Sequence, residues 1–154
     1  MAKVKYENIM QDWDAHIPGI GTKIEDFYNS LIEAWDQKQT GLQADWENVG
    51  GLFGKKKRMM KIKWNSYCCY IGAESFGTDL CCTWQLYDPK FNRTGADFTL
   101  TGLFKSDFNE INEVRAFASV CLDCAQKAAD KICDDNNLDK SKIKKQSSGA
   151  LGPL

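Results

Sequence analysis

Two periodicities divide this chain. Between residues 22 and 39 apolar positions recur at helical spacing. Ile24, Phe27, Tyr28, Leu31 and Trp35 make one stripe, while Glu25, Asp26, Asn29, Glu33 and Asp36 fall largely on other faces. Thr22 with Glu25 has capping-box spacing, so the helix is expected to start at Thr22 and to end near Gly41. Beyond the basic run that starts at Lys55 the period becomes two. Met60, Ile62 and Trp64 alternate with Lys61, Lys63 and Asn65, and Tyr67 to Ile71 forms a second run. Leu80, Cys82, Trp84 and Leu86 alternate with Cys81, Thr83, Gln85 and Tyr87; Phe98, Leu100, Gly102 and Phe104 alternate with Thr99, Thr101 and Leu103. Asn65-Ser66 and Glu74 to Thr78 are the expected turns, and Asp88-Pro89 opens a loop through Gly95. Helical spacing returns after a cap at Ser106 or Asp107. Ile111, Val114, Phe117, Ala118, Cys121, Leu122, Ala125, Ala128, Ala129 and Ile132 form a wide stripe, and its small residues suit close packing on a sheet.

This pattern predicts an α+β fold: a helix, a four-stranded antiparallel meander and a long C-terminal helix in a two-layer sandwich. One sheet face is expected to be apolar and covered by the helices, the other polar and basic. Residues 1–21, broken at Pro18-Gly19 and Gly21, read as an N-terminal segment. Residues 22–135 read as one α+β domain, and 136–154 as a mobile, polar C-terminal tail. Residues 42–54 are assigned a helical turn around Trp46 before the glycines at 50, 51 and 54. Trp13, Trp46 and Phe53 lie outside the stripes and serve either as satellite core or as partner anchors.

Composition narrows the class without naming an activity. The 154 residues are 43% hydrophobic and 27% charged with a net charge of -1, as in ordinary globular domains. No apolar run approaches the ~20 residues a spanning helix requires. The first residues mix both charge signs and have no apolar centre, so no secretory leader is expected. Of the seven cysteines, Cys68-Cys69 and Cys81-Cys82 are adjacent pairs, which on a strand point to opposite faces. Without an export signal they read as reduced thiols of a cytoplasmic protein.

Charge is unevenly spread: residues 1–54 are acidic on balance and 55–105 basic. Lys55, Lys56, Lys57, Arg58, Lys61 and Lys63 form a basic stretch with Tyr67, Tyr70 and Tyr87 nearby as stacking platforms, the composition of a nucleic-acid surface. Against that reading, the last helix opens with Asp107, Glu110 and Glu113, and the pI is near 5.8. Thr83, Gln85, Tyr87, Thr99 and Thr101, with Cys81, leave a weakly charged open surface suited to a second protomer or a partner strand.

Motifs for chemistry are incomplete. The run Gly50 to Lys55 lacks the first glycine and the Ser or Thr of a phosphate loop, and it precedes a strand. Asp135, Asn137 and Asp139 have calcium-loop spacing, but Lys140 replaces the turn glycine and Gln146 the terminal glutamate. Cys121 and Cys124 have zinc-knuckle spacing but lie within a helix. Cys68, Cys69, Cys81 and Cys82 have only His16 to add an imidazole, so no metal and no cofactor are expected. His16 itself stands in a loop before the Pro-Gly break. An Asp-His-Cys arrangement has no spacing in its favour. The sequence therefore ranks a non-enzymatic, cytosolic protein-interaction or assembly module first, with a protein partner or as a homo-oligomer. A nucleic-acid-binding module using Lys55 to Lys63 comes second, and an enzyme using His16 or a cysteine thiol third.

Overall fold

The computed structural model describes residues 4–50, 55–92 and 108–154. A 3-10 turn at Tyr6–Asn8 leads into strand β1 (Ile9–Ile17) and helix α1 (Ile24–Lys38). Strands β2 (Ala44–Gly50), β3 (Lys56–Trp64), β4 (Tyr67–Phe76) and β5 (Asp79–Tyr87) follow. Helix α2 (Phe108–Asp135), a 3-10 turn at Lys140–Lys142 and strand β6 (Lys144–Gly149) complete the described chain. All described strands join one antiparallel sheet in the order β2-β3-β4-β5-β1-β6. The class is the expected α+β, with a long C-terminal helix and a wider sheet.

Strands β3 and β5 lie where period-two alternation puts them, whereas β4 continues beyond Ile71 to Phe76 and takes in Glu74, Ser75 and Phe76 of the expected turn. The expected fourth strand at 98–104, with Thr99 and Thr101, lies outside the described residues, as does Phe53. Three strands correct the expectation. Residues 9–17 form an inner strand whose burial alternates from Gln11 to Ile17, with Trp13, Ala15 and Ile17 inward and Asp12, Asp14 and His16 outward. Trp46 sits on strand β2 rather than on a helical turn. Within the segment read as a tail, β6 pairs with β1 from Gln11↔Gly149 to His16↔Lys144. Gln11 then holds the chain beyond it, accepting from the Leu151 N–H at 2.9 Å and donating to the Gly152 carbonyl at 2.8 Å. Arg115 donates to the carbonyls of Leu151 and Pro153.

Helix α1 begins later than expected. Lys23 stands at its N-cap with no side-chain bond, so the Thr22–Glu25 capping box is not used, and Gln39 ends it at φ +50°. Both helices lie on one face of the sheet, packed against each other. Phe27 and Leu31 of α1 and Val114, Ala118, Cys121, Ala125 and Ile132 of α2 share a core with Met60, Ile62, Ile71, Leu80, Cys82, Trp84 and Leu86. Each large side chain so buried is worth about 1.5–3 kcal/mol. Tyr28 does more than fill space. The regular β3–β4 pairing ends at Met60↔Ile71. Beyond it the Tyr28 hydroxyl accepts from the Ala73 N–H at 3.1 Å and donates to the Arg58 carbonyl, standing in for the missing ladder.

The opposite face has no described helix over it. It is not uniformly polar and basic as expected: Val49, Met59, Cys68 and Tyr70 form a small buried cluster there, flanked by Val4 and Tyr87.

Candidate functional site

Strand register assembles the site. On the open face β1 places Asp14 opposite Thr83 and His16 opposite Cys81, while β4 places Gly72 opposite Thr83 and Glu74 opposite Cys81. Polar positions from three neighbouring strands thus converge at one end of the sheet. There they line a hollow of about 680 Å³ with Lys55, Ser75, Phe76 and Gly77. Phe76 stands on its wall and is 62% exposed, a high value for an aromatic ring.

A thiol and an imidazole of this lining touch, and a carboxylate outside it continues the sequence. The Cys81 sulfur lies 3.5 Å from His16 Nδ1, and His16 Nε2 lies 2.7 Å from Asp79 Oδ2. The other oxygen of Asp79 accepts from the Gly19 N–H and the Thr78 hydroxyl, both at 3.1 Å. Those bonds, the one from His16 above all, hold the Asp79 carboxyl below its ordinary range. The loop after β1 reaches the β4–β5 turn because residue 21 is glycine. A Cβ there would come within 2.9 Å of the Asp79 carbonyl, and the Gly21 N–H donates to the Thr78 carbonyl at 2.9 Å. His16 is therefore a strand residue anchored by the next hairpin, not the loop histidine the sequence suggested.

The surrounding charges act against a standing thiolate. Burial first, and then Glu74, Asp79 and Asp14, push the Cys81 thiol up, with Lys57 opposing them. Burial, then Asp12, likewise raises the Asp14 carboxyl, with His16 opposing them. Asp14 makes no hydrogen bond or ion pair among the described residues.

The basic stretch is split by strand alternation. Lys56 and Arg58 share the parity of the core-facing Met60 and Ile62, and Arg58 lies over the Trp46 ring at 4.1 Å. Lys57, Lys61 and Lys63 take the open face. Lys61 pairs with Glu47 at 2.9 Å, and Lys57 pairs with Glu74 at 3.5 Å while donating to the Thr83 hydroxyl at 3.2 Å. Lys57 can cross the sheet because residue 72 is glycine: a Cβ there would lie 3.0 Å from its Cε. Lys55, on the rim of the hollow, and Lys63 are exposed. Of the expected interaction residues, Thr83 lines the hollow and Gln85 and Tyr87 continue along the same strand face.

A second hollow, about 460 Å³, is lined by Trp35, Leu42, Trp64, Phe117 and Val120, with Glu113 the only charged wall among the described residues. It offers no pair of groups that would exchange a proton. Among the described residues no set of three or more His, Cys, Asp or Glu side chains is disposed around a metal. No helix there is long and apolar enough to cross a membrane. The chain matches no protein family model, no curated protein and no solved structure.

The sequence separates His16 from Asp79 and Cys81 by more than sixty positions. The signal that would have joined them is the alternation of Asp12-Trp13-Asp14-Ala15-His16-Ile17, a half-buried strand written with acidic outward residues.

Proposed function

We propose that this chain is a polypeptide-binding module whose working surface is the open face of the sheet. The hollow around Asp14, Phe76 and Thr83 receives a basic side chain of the partner. The observation that supports this reading is the half-buried Asp14 carboxylate, which has neither hydrogen bond nor salt bridge among the described residues and lies in a hollow walled by an exposed Phe76. A lysine or arginine from a partner neutralises that carboxylate, and its aliphatic stem covers the Phe76 ring. Thr83, Gln85 and Tyr87 extend the contact along β5 with little charge to desolvate.

The test is selection of displayed peptides against the full chain, followed by affinity measurements on those recovered. Enrichment of a lysine or arginine beside an apolar residue is expected, with affinity about tenfold weaker in Asp14→Asn and also reduced in Phe76→Ser. Peptides without a basic residue, or binding indifferent to both substitutions, would contradict the reading. Light scattering on the chain alone reports the special case in which the partner is a second copy: the mass then exceeds the 17.4 kDa of one chain.

A further inference from the structure

Of the seven cysteines, six are buried, and the remaining one, Cys81, faces the hollow beside the imidazole. The geometry dictates the tautomer. A carboxylate only accepts, so the proton between neutral His16 and Asp79 sits on Nε2, leaving the Nδ1 lone pair turned toward the Cys81 sulfur. Nucleophile, base and orienting group are thereby in contact in one chain of bonds, the arrangement that activates a thiol.

We propose that Cys81 is a nucleophilic thiol that takes up acyl groups, with His16 as its base and Asp79 as the residue that positions the imidazole. The S–H proton passes to Nδ1 as the sulfur bonds to the carbonyl carbon of an activated ester or thioester. The bond from that carbon to the leaving oxygen or sulfur breaks, and the imidazolium returns the proton to it. The products are an acyl thioester on Cys81 and a free alcohol or thiol. The groups that face this pair are Asp14 on β1, Lys57 on β3, Glu74 on β4, Asp79 on β5 and Lys144, the register partner of His16 on β6, with Lys55 at the rim. The carboxylates among them favour the protonated thiol, so the base acts during the reaction rather than before it. Lys57 adds positive charge on the same side of the sheet for the oxyanion that forms.

The full chain, treated with p-nitrophenyl acetate, is expected to acquire one acetyl group on Cys81, located by peptide mass and absent in Cys81→Ser. In His16→Gly the rate falls about a hundredfold, and added imidazole restores part of it while circular dichroism stays unchanged. Asp79→Asn shifts the pH–rate profile, an effect that loss of packing alone does not produce. Acetylation spread evenly over the cysteines, or equal rates with and without the His16 ring, would overturn the proposal. The probe carries no peptide, so this result stands or falls separately from the binding reading.

Discussion

Cys81 and Cys82 are neighbours in the chain with opposite fates. Cys82 lies under the helices in the main core, where burial raises its thiol far above the ordinary range. Cys81, turned the other way on the same strand, touches His16 in an open hollow. The same contrast runs through β1, where Trp13, Ala15 and Ile17 serve the core while Asp12, Asp14 and His16 face outward. One backbone thus carries two jobs. The covered face holds the main core, and the end of the open face around Cys81 holds polar groups in fixed geometry.

Substitutions on the two faces should differ in cost. Trp84→Ala, at a fully buried position of the covered face, is expected to cost about 3–5 kcal/mol in urea unfolding. Gln85→Ala, one residue on and facing outward, should stay within about 0.5 kcal/mol. Comparable losses at the two positions would erase the distinction. Tyr28→Phe tests the bridge between α1 and the sheet. It leaves the buried Ala73 N–H and the Arg58 carbonyl without the hydroxyl they share, at an expected cost of about 1–3 kcal/mol.

Smaller effects separate two of the open-face carboxylates, Asp79 and Asp14, by sign. Asp79 is lowered in the folded chain, so its contribution is full at neutral pH and fades as the pH falls below the unfolded value of 3.8 and through the folded one. Asp79→Asn should therefore destabilise at neutral pH, with the difference from the parent shrinking in acid. Asp14 is raised, so its ionisation above 3.8 works against the fold. Asp14→Asn should slightly stabilise the chain at neutral pH and do nothing in acid. A carboxylate that the fold would be more stable without is what the proposed binding role predicts for Asp14, and a destabilised Asp14→Asn chain would contradict it.

Much of the covered face was legible because core residues repeat. The stripes of α1 and α2 and the alternation of β3 and β5 all reach the structure. The open face was harder. Strand β1 writes its outward positions with Asp12, Asp14 and His16, residue types that lower strand propensity, and the Pro18-Gly19 break follows at once. Strand β2 is interrupted by exposed Asp45 and Asn48, and β6, Lys144–Gly149, has no apolar face at all. It exists because the edge of β1 offers unpaired backbone groups. The site inherits this difficulty. His16 meets Cys81 only through the β1–β5 register, which depends on pairing across the chain rather than on local pattern.

Amide-resolved NMR of the full chain, titrated with a selected peptide that carries a lysine, locates the binding surface. Binding at the open face predicts shifts concentrated at Asp14, His16, Glu74 to Gly77 and Cys81 to Thr83, with the α1 and α2 amides unmoved. Shifts confined to the helices, or to the hollow lined by Trp35, Trp64 and Phe117, would place the working surface on the other side of the sheet and rule out binding at the open face.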